Sequence, residues 1–123
     1  MEELYDMEGK QRIIQELVPG RQITLAHIVA SPDPILYEKL GLDPAVDYSR
    51  SAIGVMTISP AETAIIIADV ATKASGVELG FVDRFAGTLI ITGTVAEVEA
   101  SIEAALNYCG EKLHYTVCPI TKT

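Results

Sequence analysis

The stretch Ala64–Ala74, AIIIADVATKA, constrains this chain more than any other. It has no Gly or Pro, and a good helix-start sequence precedes it, so a helix is predicted. Yet Ile65, Ile66, Ile67, Val70 and Ala71 cover more than one face of that helix, and Asp69 and Lys73 are its only charges. A chain of 123 residues has little interior in which to hide a helix that is apolar on several sides. Part of this surface is expected to be left for other subunits.

Composition agrees. Hydrophobic residues make up 49% of the chain and aromatics only 6%, so the apolar content is Ile, Val, Leu and Ala. The length fits one domain. No apolar run approaches the roughly 20 residues of a membrane span. The opening MEELYDMEGK lacks the basic end and apolar stretch of a signal peptide, which points to the cytoplasm. A net charge of −8 argues against a nucleic-acid or anionic-membrane partner, since neutralising phosphates needs clustered Lys and Arg. Cys109 and Cys118 are too few for a disulfide framework and read as buried thiols in a reducing compartment.

After a loose acidic start, RIIQELV reads as a short strand or helical turn ended by Pro19-Gly20. QITLAHIVA reads as a strand with Ile23, Leu25 and His27 on one side. DPILYEKLG is a short helix, with Asp33 as N-cap, Pro34 in the first turn and Gly41 as C-terminal cap. AIGVMTI is a buried strand. SPAE then predicts a capped helix start, with Ser59 as cap, Pro60 first and Glu62 reaching back. VELGFVDRF and TLIITG are strands joined at Ala86-Gly87. A second capping box, Thr94 with Glu97, starts a helix whose apolar stripe is Val95, Val98, Ile102, Leu106, Cys109 and Leu113. LHYTVCPI is a last strand or extended tail. The fold class is a small α/β sandwich, with a mostly antiparallel sheet backed by two main helices.

No catalytic constellation emerges. The chain has no G-x-G-x-x-G and no phosphate-binding loop, and the glycines of GTLIITGT only flank a strand. Cys109, His114 and Cys118 form the best metal or nucleophile candidate, but their spacing matches no tight zinc pattern and lacks a fourth ligand. Glu97/Glu99 and Glu99/Glu103 read as a solvated helix face. Asp83-Arg84 at a strand end reads as a structural ion pair or as charge ringing an opening.

The long stretch Ala52 to about Leu113 resembles the bacterial microcompartment domain. The shared pattern is A-I-G opening a strand, a helix ending A-T-K-A, the strand V-E-L, a turn with Gly, a strand ending in Gly and a second helix. Here QITLAHIVASPDPILYEKLGL comes first, where the ordinary domain places a strand and short helix last. The chain is thus similar to the circularly permuted type among ethanolamine- and propanediol-utilisation shell proteins. The resemblance implies a non-enzymatic structural subunit with no cofactor. Its homohexamers would tile with other shell proteins around encapsulated enzymes of an ethanolamine, propanediol or choline pathway.

The resemblance also assigns positions. Lys73 matches a lysine on the hexamer edge. Asp83, Arg84, Phe85, Ala86 and Gly87 match the turn around the sixfold axis, although bulky Arg84 and Phe85 argue against an open pore. Ile13, Ile14, Gln15, Glu16, Leu17 and Val18 match a strand that closes, six copies together, into a barrel capping the axis. Residues 1–21 would then be tail and barrel strand, and 22–123 the shell domain. Ser31 stands where ordinary shell domains carry the Arg of a P-R-P edge motif. The alternative to a shell subunit is an oligomeric regulatory or small-metabolite-binding domain.

Overall fold

The computed structural model describes residues 20–49 and 51–123. The segment Ile13–Val18 and its expected barrel lie outside the described residues. The elements are β1 (Gln22–Val29), α1 (Ile35–Lys39), β2 (Ala52–Ser59), α2 (Thr63–Ala74), β3 (Glu78–Asp83), β4 (Thr88–Gly93), α3 (Val95–Glu111) and β5 (Thr121–Lys122). They build one open five-stranded sheet in the order β3-β4-β2-β1-β5. All neighbours are antiparallel except β1 and β5.

The period-two alternation of the strands sorts side chains onto two faces. Ala52, Met56 and Ile58 of β2, with Leu89 and Ile91 of β4, meet Ala64, Ile67 and Ala71 of α2 and Val98, Ile102 and Ala105 of α3 in the main core. Ile53 and Ile90, the residues in between, pack on the other face against Tyr37 and Leu42 in a smaller cluster. A fully buried Ile or Leu contributes about 1.5–3 kcal/mol, so the main core supplies most of the stability. Gly54 lets α3 approach the sheet: a Cβ there would lie 2.7 Å from Val98 Cγ1 and 2.9 Å from Ile91 Cγ1.

Four local expectations are corrected. In β1, Ile23, Ala26 and Ile28 are buried and Leu25 is exposed, because a bulge between Ile23 and Leu25 shifts the alternation by one residue. Ser59 does not cap α2. It remains the last residue of β2, paired with Gln22 of β1, and the helix is entered through a tight turn. There, the N–H groups of Thr63, Ala64 and Ile65 bond the carbonyls of Pro60, Ala61 and Glu62. β3 ends at Asp83, not Phe85, and the turn covers residues 84–87. The last strand is Thr121–Lys122 and not the LHYTVCPI stretch, which runs beside β1 and bonds it through Thr116.

The capping box of α3 forms as expected: Glu97 N–H donates to Thr94 Oγ1 at 3.1 Å and Thr94 N–H to Glu97 Oε1 at 2.9 Å. Glu97 therefore also serves as a cap, and Glu99 faces Lys122 at 3.9 Å. The start of α1 is braced by Asp33, whose Oδ1 accepts from Ile35 N–H at 3.1 Å, and Gly41 ends it at φ +72°. The two main helices are joined by hydroxyls. Ser101 Oγ lies 2.7 Å from the Ala71 carbonyl, Ser75 Oγ lies 2.8 Å from the Glu97 carbonyl, and the two hydroxyls are 2.7 Å apart, so their two protons serve these three contacts between them.

Candidate assembly surface

α2 is only half covered by its own subunit. Thr63, Ala64, Ile67, Ala68 and Ala71 are buried, whereas Ile65 and Ile66 are 53% and 43% exposed. Leu79, Phe81 and Val82 on β3 are exposed as well, and among the described residues β3 is a sheet edge with no partner strand on its outer side. Ile65, Phe81, Val82 and Phe85 line one shallow cavity beside the β3–β4 turn. Large apolar side chains gathered on a bare strand edge are an association surface.

The turn itself is built by Asp83. Its carboxylate accepts from Phe85 N–H at 2.8 Å and Ala86 N–H at 3.1 Å, and its carbonyl accepts from Gly87 N–H at 2.8 Å. With the carboxylate committed to the backbone, the ion pair, one of the two readings of Asp83-Arg84, does not form. The Arg84 guanidinium instead lies 4.8 Å over the Phe85 ring, which is 80% exposed. Gly87 adopts φ +81°, and its carbonyl accepts from Ile58 N–H at 2.8 Å. The turn is thus tied to the end of β2.

Lys73 lies in the last turn of α2, with its ammonium 2.9 Å from Asp69 and both side chains largely exposed. An exposed i,i+4 pair contributes only about 0.3–0.5 kcal/mol, so the ammonium is cheaply released to another acceptor. Ser31 lies at the bend after β1, on the rim of a second cavity with Pro32 and Tyr48.

His27 was missed by sequence reasoning, since nothing local to QITLAHIVA marks its partners. Its Nδ1 meets Thr121 Oγ1 at 2.6 Å and its Nε2 meets Thr123 Oγ1 at 2.9 Å. With the Thr123 N–H to Ile28 carbonyl bond at 2.9 Å, this latches the two-residue β5 onto β1.

The Cys109, His114 and Cys118 set is not assembled as a metal site: among the described residues, no group of three or more His, Cys, Asp or Glu is placed to hold an ion. Burial pushes the Cys109 thiol up to about 11 and also raises that of Cys118. Both are held in the unreactive neutral form at ordinary pH. The raised value carries a sign for stability. The unfolded thiol ionises first, so the contribution is intact below about pH 9 and is lost as pH rises toward about 11. Replacing both cysteines with Ser should cost about 1 kcal/mol each in urea unfolding and leave assembly intact. A stoichiometric metal carried by the parent and lost in the double variant would contradict this.

Comparison with known proteins accounts for this arrangement. The family model of the BMC domain matches residues 52–121. The bacterial microcompartment shell protein PduU of Salmonella typhimurium is 49% identical over 112 residues, which cover 91% of this chain and 93% of PduU. The bacterial microcompartment shell protein EutS of Escherichia coli K12 is 47% identical over 114 residues, 93% of this chain and 98% of EutS. Among solved structures, the CutR flat hexamer aligns with a TM-score of 0.78 and 46% identity, over 92% of this chain and all of that one. β1 and α1 precede the stretch matched by the family model, yet β1 lies inside the sheet and the CutR alignment takes it in. This chain belongs to the BMC-domain family of bacterial microcompartment shell proteins.

Proposed function

We infer that the protein is a structural subunit of a bacterial microcompartment shell, assembled as a homohexamer that tiles with other shell proteins around enzymes. The observation that carries this is near-complete alignment, at 46% identity, with a shell protein solved as a flat hexamer. The apolar β3 edge and the exposed side of α2 supply the contact surface. A closed ring of like-oriented subunits needs heterologous interfaces, with two different patches on each subunit. The role is structural and not catalytic, as in the family.

Within this assembly, Lys73 is a hexamer-edge residue and the turn Asp83–Gly87 surrounds the sixfold axis. Support for the first is its exposure in a weak, easily broken pair. Multi-angle light scattering of the parent should give a hexamer, and negative-stain microscopy should show sheets or tubes. Lys73→Ala should keep the hexamer and lose most of the sheets. A monomer across the micromolar range would refute the shell role, and sheets formed as readily by Lys73→Ala would refute the edge role alone.

We further propose, from the resemblance to the permuted shell proteins, that residues 1–21 are a tail and barrel strand, with Ile13–Val18, which lie outside the described residues, as one strand of a six-stranded barrel over the axis. Ile13, Ile14, Leu17 and Val18 are apolar, and a lone short strand is unstable in water, whereas a closed barrel has no edges. Removing residues 1–20 should leave the hexamer standing and uncover its centre in electron microscopy class averages. Unchanged central density in the truncated hexamer would rule out the cap.

A further inference from the structure

The end of the sheet that carries the Asp83–Gly87 turn is also the end at which the chain enters β1. Gln22 pairs with Ser59 and Ile23 with Ile58, and the Ile58 N–H in turn bonds the Gly87 carbonyl. The turn thus lies two strand spacings, ~10 Å, from the start of β1. Gly20, at φ +85°, bends the chain there. Ile13–Val18 stand two to seven residues before Gly20. An extended chain covers ~3.3 Å per residue, so these residues can lie ~7 to 23 Å from Gly20, and the turn of their own subunit is within reach.

The turn presents what such a segment needs. Phe85 is 80% exposed and lies beyond the last residue of β3, at the end of the sheet and not along the edge given to subunit contacts. Arg84 lies over its ring, and the ion pairs among the described residues, Lys73–Asp69 and Lys122–Glu99, do not include it. Asp83, its neighbour in sequence, is taken up by the backbone of the turn. As a strand, the segment places Ile14, Glu16 and Val18 on one face and Ile13, Gln15 and Leu17 on the other. The first face reads apolar, acidic, apolar, which is complementary to an apolar ring with a cation lying over it. Arg21 and Glu62 also lie near this end, so the choice of Arg84 rests on its place over Phe85 and not on net charge.

We propose that the Asp83–Gly87 turn is the seat of the chain's own segment Ile13–Val18, with Ile14 and Val18 against the Phe85 ring and Glu16 paired with Arg84. This rests on the barrel reading above: Ile13 and Leu17 then face into the barrel, and the seat holds the barrel over the axis. The test is hydrogen exchange, read by mass spectrometry on the peptide containing residues 13–18 of the full-length chain, with light scattering of every variant. The segment should be protected in the parent. Phe85→Ser should speed its exchange ~tenfold, and Arg84→Glu and Glu16→Arg ~threefold each. The charge swap Arg84→Glu/Glu16→Arg should return to within ~twofold of the parent, whereas Arg21→Glu/Glu16→Arg should not. Arg84 and Phe85 are exposed, so their variants keep the core intact. Protection that neither Arg84→Glu nor Phe85→Ser alters would overturn the seat and leave the barrel standing. An unprotected segment in a hexameric parent would overturn both. Rescue by Arg21→Glu in place of Arg84→Glu would overturn the pairing. Loss of the hexamer in Phe85→Ser would assign the ring to a neighbouring subunit and overturn the seat.

Discussion

Gly87→Ala should be the most damaging single methyl group that can be added to this chain. A Cβ at Gly87 would fall on the Ile58 carbonyl oxygen and lie 3.1 Å from Ala61 Cα, and φ there is +81°. Neither obstacle is a flexible side-chain end, so the backbone has to move. The left-handed conformation alone costs about 1–2 kcal/mol for a residue with a Cβ. Displacing the turn also breaks the Ile58–Gly87 bond, at about 1 kcal/mol. The total loss should exceed about 3 kcal/mol, a large share of the stability of a domain this size. Urea unfolding would measure it. A midpoint within error of the parent would mean the turn adapts, and the account of Asp83–Gly87 as a rigid unit would be wrong.

Gly54→Val is expected to follow closely. The first added carbon would already sit 2.7 Å from Val98 Cγ1, 2.9 Å from Ile91 Cγ1 and 3.1 Å from Ile102 Cδ1, and Val adds two more. Val98, Ile91 and Ile102 are all fully buried, so α3 must be lifted from the sheet. Overpacking of this kind costs about 1–3 kcal/mol, and the upper end applies where the space is already filled. The double variant Gly54→Ala/Val98→Ala should recover part of the loss, because it returns the volume it takes. If it is no more stable than Gly54→Ala, the contact with α3 is not the cause.

The legible parts of this fold were those decided within a few residues. The α3 start needed only Thr94 and Glu97, three positions apart, and formed as expected. The start of α2 had an equally good local signal in Ser59, Pro60 and Glu62. It failed because Ser59 is claimed by Gln22, thirty-seven positions away, through the β1–β2 ladder. A one-residue bulge put Leu25 on the wrong face, and period-two counting has no means of seeing it. Asp83 and Arg84 looked like partners because they carry opposite charges. The nearer backbone N–H groups and the Phe85 ring won, since both lie inside the same turn. The surplus of Ile on α2 was legible as unspent apolar surface, and Ile65 and Ile66 are exposed. Lys73 was placed by likeness to a family, because its expected partners belong to other molecules. The stacking of Tyr37 on Tyr48 left no trace in the sequence, as an irregular loop brings the two rings together.

The latch on the last strand does not depend on which tautomer its histidine adopts. An imidazole with one N–H carries one donor and one acceptor, and a threonine hydroxyl can serve as either. Whichever ring nitrogen of His27 bears that hydrogen, one of Thr121 and Thr123 accepts and the other donates. Two threonines, in place of a carboxylate or a carbonyl, make a fastening that needs no fixed polarity from the ring it holds.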